Sequence, residues 1–465
     1  MLKRFSASYD TTITNAYKAN LTQRGTGSNM GASDVLEVFS IYGQQTTSSS
    51  ELSRVLVQFP ISDVSASRAA GTIPVSGSAS FYLRLFNAKH GQTLPYGYSM
   101  AIQAVSTSWS EGTGLDMEDY TDSDYTNWVY AASGTTWTTA GGDYHASPAY
   151  TVSFDKGDED IEIDVSELVE QWLAGTKQNY GVGIRLSSSY ESASLSYYTK
   201  KFFARGSQYF FRRPLLEVRW NGARKDSRGN FYASSSLLST ADNTQTLYFY
   251  NYVKGQLQNI NDIGTGAIYM QMFTSASGGT LISSTITGGY VAAGIYTASL
   301  VLSTTASTAY DRWYSSGLST CYYTGSAITV RTLSPNEWNP QEKWVTKITN
   351  LKPEYRRTEN ARMRVFTRKS DWSPTNYVVQ SALIRPDIVE NAYWSLYRLE
   401  DSTEVVSFGT GSVQYTKMSY DISGSYFDLD MNMLEEDYSY RVKFAYYVNG
   451  NYEVQPEVFK FKVVN

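Results

Sequence analysis

Apolar–polar alternation recurs from one end of this chain to the other, and it limits the fold more than any other feature. In Arg54-Val55-Leu56-Val57-Gln58-Phe59, residues Val55, Val57 and Phe59 fall on one side. Phe81, Leu83 and Leu85 repeat the pattern, and Ile161, Ile163 and Val165 alternate with Glu162 and Asp164. Leu216, Val218 and Trp220 alternate with Glu217 and Arg219, and Val442, Phe444 and Tyr446 with Arg441 and Lys443. Phe459, Phe461 and Val463 alternate with Lys460 and Lys462. Successive side chains of a strand point to opposite faces, so each run describes a strand with one buried and one wet face. That is the pattern of antiparallel sandwiches. One segment departs from it. Val165, Leu168, Val169 and Trp172 fall at i, i+3, i+4 and i+7, which predicts one short amphipathic helix over 164–174, with Asp164 as its cap and Gly175 as its end.

A length of 465 residues suits about three domains. Two polar, turn-rich stretches supply the breaks, Asn221–Gly229 and Ser334–Pro340, the second with two prolines. The expected organisation is all-β: three consecutive antiparallel β-sandwich domains at 1–222, 230–334 and 340–465. No internal repeat of solenoid length is present. With 15% aromatic and only 18% charged residues the chain is not of disordered composition.

Several functional classes fall away. Cys321 is the only cysteine, so there is no intramolecular disulfide and no cysteine-based zinc site. His90 and His145 are the only histidines, too few for a multi-histidine metal centre. No run of about 18 apolar residues offers a membrane-spanning helix. Lys3-Arg4 is followed by no apolar stretch, so the start does not read as a secretory signal. A net charge of −5 argues against a general nucleic-acid binder. The expected partners therefore include no nucleic acid and no membrane.

The stretches that could carry chemistry each have a plainer reading. Neither histidine has a nucleophile partner in a recognisable motif, and no nucleophile elbow is present. Glu111, Asp116, Glu118, Asp119, Asp122 and Asp124 could supply oxygens to a calcium ion, but their spacing is not that of an EF-hand and reads as a solvated acidic loop. Asp155–Asp160 reads as a turn. Lys200-Lys201-Phe202-Phe203-Ala204-Arg205 and Tyr209-Phe210-Phe211-Arg212-Arg213 interleave bases with aromatics, as single-stranded nucleic acid would require. In a net acidic chain an amphipathic hairpin with its bases on the wet face is the better reading. No catalytic, cofactor-binding or metal-ligating residue is assigned, no cofactor is expected, and the chain is read as non-enzymatic. The 39 tyrosines suit half-buried sheet faces and also contact surfaces.

Six stretches, in order, give the first block a resemblance. They are Asp10–Ile13 with Ser28–Ser33, Arg54–Phe59, Ala79–Phe86, Ile163–Trp172, Asn179–Ile184 and Arg213–Val218. Together they resemble the DNRLRE-type domain, related to some carbohydrate-binding modules of extracellular proteins. The resemblance implies a jelly roll for this block, and immunoglobulin-like sandwiches are expected after it. In the last block, Leu351–Tyr355, Ala361–Phe366, Asp371–Pro374, and Ser419–Asp421 through Phe427–Met431 resemble the C-terminal part of uncharacterised virion structural proteins of tailed bacteriophages. The two resemblances imply a non-enzymatic structural component located in the virion. It would dock on capsid, portal, neck, collar or tail neighbours and on sister copies through Tyr-rich sandwich surfaces. The alternative they leave open is a carbohydrate-binding or adhesive surface protein contacting a host surface glycan. Leu2-Lys3-Arg4-Phe5 is expected to reach outward to a neighbour.

Overall fold

The computed structural model describes residues 1–118, 124–333, 343–371 and 386–465. The chain divides into two compact units, Leu2–Trp220 and Met1 with Asn221–Asn465. The expected break at Ser334–Pro340 lies outside the described residues.

The first unit is a two-sheet sandwich built from β1 (Leu2–Ser6), β2 (Tyr9–Thr14), β3 (Val35–Tyr42), β4 (Ser50–Gln58), β5 (Ser80–Leu85), β6 (Tyr98–Val105), β7 (Tyr130–Ala132), β8 (Thr135–Thr136), β9 (Tyr144–Phe154), β10 (Ile161–Asp164), β11 (Val182–Leu186), β12 (Tyr197–Phe203) and β13 (Leu215–Arg219). One sheet runs β1-β13-β5-β10. The other runs β12-β3-β4-β11-β6-β9, with β2 also paired to β4, and β7 and β8 form a separate ribbon. Every pairing in this unit is antiparallel. Val55, Val57, Phe81, Leu83, Leu85, Leu216 and Val218 meet in one core between the sheets, as the alternation requires. Leu2–Ser6 pairs in register with Leu215–Arg219, so this segment is a strand of its own sandwich and not an outward-reaching arm.

The expected helix is α2 (Ser166–Leu173), which buries Leu168, Val169 and Trp172. The N-cap position is Val165 and not Asp164, whose carboxylate one residue earlier accepts the Ser166 N–H at 2.9 Å, and Gly175 follows the helix at φ +72°. A second helix, α1 (Ile61–Ala69), was not foreseen. Only Ile61 and Val64 of α1 are buried. Two apolar positions among serines leave too narrow a stripe for its period to be read.

The alternation misleads at Glu217 and Arg219, which it places on a wet face. Both are buried, at 1% and 7% exposure. The Glu217 carboxylate takes Arg4 and Arg219 at 2.6 Å and Arg84 at 3.2 Å, while Glu162 takes Arg219 at 2.6 Å. Mutual pairing across neighbouring strands allows a polar sheet face to be shut off from water.

In the second unit, one antiparallel sheet joins residues 245–250, 268–273, 286–292, 295–300, 308–314 and 328–331 around Phe249, Met270, Tyr296 and Trp313. Phe231–Tyr232 adds to its edge in parallel. The rest is a further sandwich. A four-stranded sheet (344–348, 360–369, 424–430, 419–421) faces a sheet built on 354–356, 459–464, 439–448, 392–398 and 404–406. Stacked Trp394 and Phe427, with ring centres 5.0 Å apart, bind the two layers together. The chain is all-β and rich in sandwiches.

Candidate functional site: a two-arginine cleft on the first sandwich

The outer face of the larger sheet in the first unit is not bare. The long connection from β6 to β9 folds back over it. Its Trp109, Trp128 and Trp137 pack with Ile13, Leu56 and Val105 into a second small core. Trp109 Nε1 donates to the Tyr180 carbonyl at 2.8 Å, and Trp137 Nε1 to that of Asn127 at 2.9 Å. Trp109 and Trp137 thus anchor this connection, with their polar edges satisfied inside.

Beside this patch opens a cleft of about 670 Å³ lined by Arg54, Gln103, Thr107, Asp143, Tyr144, Arg185, Ser188 and Glu191, among others. Its floor comes from the outward positions of adjacent strands: Arg54 on β4, Arg185 on β11 and Gln103 on β6. Alternation sends their neighbours Val55, Ile184 and Ile102 into the main core. Tyr144 begins β9 and lies over Gly183, where an added Cβ would fall 2.0 Å from the Tyr144 ring. The tyrosine can take this place only because residue 183 has no side chain.

The ring holds both arginines. The Arg185 guanidinium sits 4.4 Å from the Tyr144 ring centre, and that of Arg54 5.9 Å from it and 5.2 Å from Trp128. The two then differ. Arg54 forms a fork with Glu191 (2.9 and 2.8 Å) and donates to the Gly141 carbonyl at 2.9 Å. Burial works against its charge, but the Glu191 pair outweighs it and raises the Arg54 pKa. Arg185 donates to Gln103 Oε1, forms no ion pair among the described residues, and leaves Nη1 shielded without a hydrogen-bond partner. Burial pulls its pKa down, and Arg54 adds to the effect. Asp143 accepts Thr138 and Thr139 N–H groups at 2.9 Å and the Thr107 hydroxyl at 3.0 Å. Burial opposes its charge, yet these bonds prevail and hold the carboxyl below its ordinary range. The cleft therefore presents one uncompensated guanidinium among hydroxyls, an amide and two occupied carboxylates. That set can bind polar, hydroxyl-bearing groups by hydrogen bonds.

The stretches singled out in the sequence lie elsewhere. His90 lies in the irregular connection between β5 and β6, with Nε2 3.0 Å from the Thr199 carbonyl. His145 reaches the cleft only through its carbonyl, which accepts from Gln103 Nε2 at 3.0 Å. Burial and nearby Lys177 lower the His145 pKa. The acidic residues are used locally. Glu111 pairs with Arg205, Glu118 accepts the Ala19 N–H, Asp116 accepts that of Glu118, and Asp124 accepts the Ser133 hydroxyl. Asp119 and Asp122 lie outside the described residues. Among the described residues no group of three or more His, Cys, Asp or Glu side chains is placed to hold a metal. In the basic–aromatic run, Lys200 is wholly buried and not on a wet face. Its ammonium donates to Asn87 Oδ1 and to the carbonyls of Gly157 and Glu159. Burial lowers the Lys200 pKa to about 8. The Asp155–Asp160 turn thus serves as its cradle.

No family model matches the chain, and no curated protein matches it. Solved structures similar to it include a marsupial T cell receptor, at 9% identity over 47% of this chain and 68% of the other, TM-score 0.16. A native-conformation E. coli alpha-2-macroglobulin matches at 10% identity over 92% of this chain and 20% of the other, TM-score 0.16. A DUF4785 family protein of Legionella pneumophila matches at 8% identity over 93% and 90%, TM-score 0.15. At these TM-scores the similarity carries no argument about the site.

Proposed function

We propose that this protein is a non-enzymatic structural component of a tailed-bacteriophage virion, docking on particle neighbours through aromatic faces of its sandwiches. The observation that carries the reading is the hairpin made by residues 439–448 and 451–454 in the last sandwich, the block with the virion-protein resemblance. Tyr447, Tyr452 and Val454 there are 43%, 47% and 58% exposed. The two tyrosine rings lie 4.9 Å apart. Paired exposed aromatics on an edge hairpin are a surface that gains by being covered. Purified particles analysed by mass spectrometry test this, with hundreds of copies expected for head decoration and about six to eighteen for neck, collar or tail.

A second reading, contact with a host surface glycan, is favoured by the cleft of Arg54, Gln103, Tyr144 and Arg185. The full-length protein incubated with a glycan array tests it. Retention that disappears in Arg185→Gln supports the reading, and no retention on any glycan removes it. In either reading no glycan is cleaved, so product release abolished by changing one carboxylate overturns both.

A further inference from the structure

Within the Asn221–Asn465 unit, one short segment grips both the sheet of residues 245–331 and the last sandwich. Arg224–Asp226 lies alongside Ser419–Asp421. Arg224 N donates to Ser419 Oγ at 2.9 Å, Asp226 N to the Tyr420 carbonyl at 3.0 Å, and Tyr420 N to the Arg224 carbonyl at 2.9 Å. Two residues later Arg228 enters the sheet of residues 245–331. Its Nη1 donates to Asp311 Oδ1 at 2.6 Å, and its Nη2 to the second Asp311 oxygen and to the Tyr248 carbonyl. Asp311 also accepts from Trp313 Nε1. It approaches so near to Gly325 that a Cβ there would fall 1.9 Å from Oδ1.

The charges in this clamp do not balance. Asp311 is fully buried and Asp226 is 3% exposed. Between them stands one guanidinium, whose fork is taken by Asp311. Asp226 is left with Arg228 Nε at 3.6 Å and the Arg228 N–H at 3.2 Å. The other ionisable groups around the joint are Arg224 and Lys225 on the same segment, Tyr248 and Tyr250 on residues 245–250, and Tyr323. From the last sandwich come Tyr420, Tyr426, Glu390 and Asp421, the last paired with Arg364 at 2.6 Å. Of these charges Arg228 favours an ionised Asp226, while Asp311 and Asp421 oppose it.

We propose that Asp226 makes this clamp pH-sensitive: the segment holds the 245–331 sheet and the last sandwich firmly while Asp226 is protonated and loosens when it ionises. Burial first, and the neighbouring carboxylates after it, push the Asp226 carboxyl up to about 7 from an ordinary 3.8, against the pull of Arg228. Opening returns the carboxyl to water and to its ordinary value. Between those two values the closed clamp holds a proton that the open one releases, so opening becomes easier as pH rises through the window and levels off above it.

Hydrogen exchange of the Asp226 and Tyr420 amides in the full chain, corrected for the intrinsic rate, reads the opening directly. From pH 5.5 to pH 8.5 the opening constant should rise about tenfold or more, while amides of residues 439–448 show no such rise. Asp226→Asn should abolish the rise and keep both amides protected at pH 8.5. If that variant does not fold, Asp421→Asn, which removes an opposing charge, should shrink the rise. A flat wild-type profile, or a rise unchanged in the variant that folds, overturns the proposal.

Discussion

Glu217 of the first unit and Asp226 of the second are both shut off from water, at 1% and 3% exposure, yet their surroundings drive them in opposite directions. Burial alone would raise both pKa values. Around Glu217 three guanidinium groups, Arg4, Arg84 and Arg219, overcome it and hold the carboxyl at about 2. Around Asp226 one guanidinium is shared with a second carboxylate, and burial prevails. The number of cations within reach, not depth, decides whether a buried acid supports the fold as an ion or opposes it. The same count separates the cleft arginines, with Arg54 in an ion pair with Glu191 and Arg185 in none among the described residues.

The largest effects should come from the balanced unit. Glu217→Ala removes the buried carboxylate that Arg4, Arg84 and Arg219 share, leaves Glu162 paired with Arg84 and Arg219, and should destabilise the first unit by about 3–5 kcal/mol, read by urea unfolding of the full chain. A loss no larger than that of a surface substitution would mean that the network is solvated and the contrast false. Trp172→Ala sets the scale for packing on the same sandwich, at about 3–5 kcal/mol for a large-to-small core change. An unchanged thermal midpoint would place the α2 face in solvent.

The pH responses should be opposite in sign. Glu217 sits below its ordinary 4.5, so its contribution is full above that pH and is lost as pH falls from there to about 2. Asp226 sits above its ordinary value, so its effect is felt as pH rises toward 7. Stability profiles of the two units, followed by separate amides, should therefore weaken at opposite ends of the scale. Two profiles of the same shape would break the comparison. The smallest effect belongs to the exposed pair Arg362–Asp428, 2.8 Å apart with side chains 44% and 32% exposed. Arg362→Ala should alter stability by less than about 1 kcal/mol, and a larger change would show that pairing matters there regardless of burial.

Much of this architecture was legible in period-2 alternation, because a strand's core face is written locally. Val55 and Val57, and Phe81, Leu83 and Leu85, fall where that rule places them, and the α2 stripe of Leu168, Val169 and Trp172 falls where the 3.6-residue helical period places it. The rule fails where a polar side chain is buried by partners distant in sequence. Glu217 is recognised as buried only once strand register sets Arg4, Arg84 and Arg219 beside it. Lys200 reads as a surface base until the 157–159 carbonyls close around it. The cleft was illegible for the same reason. Arg54, Gln103, Tyr144 and Arg185 each occupy an ordinary outward position, and only the order β4-β11-β6-β9 makes them neighbours. A glycine at 183 was the one local signal, a gap in a strand where another ring is received.

The proposal that remains to be tested is that this chain is built into a virus particle. Quantitative mass spectrometry of gradient-purified particles, with intact capsid protein as the internal standard, tests it most directly. The account predicts that the chain co-sediments with particles at a fixed, integer-related copy number that survives washing in high salt. Its absence from particles, or a trace amount that varies between preparations and washes away, contradicts the account.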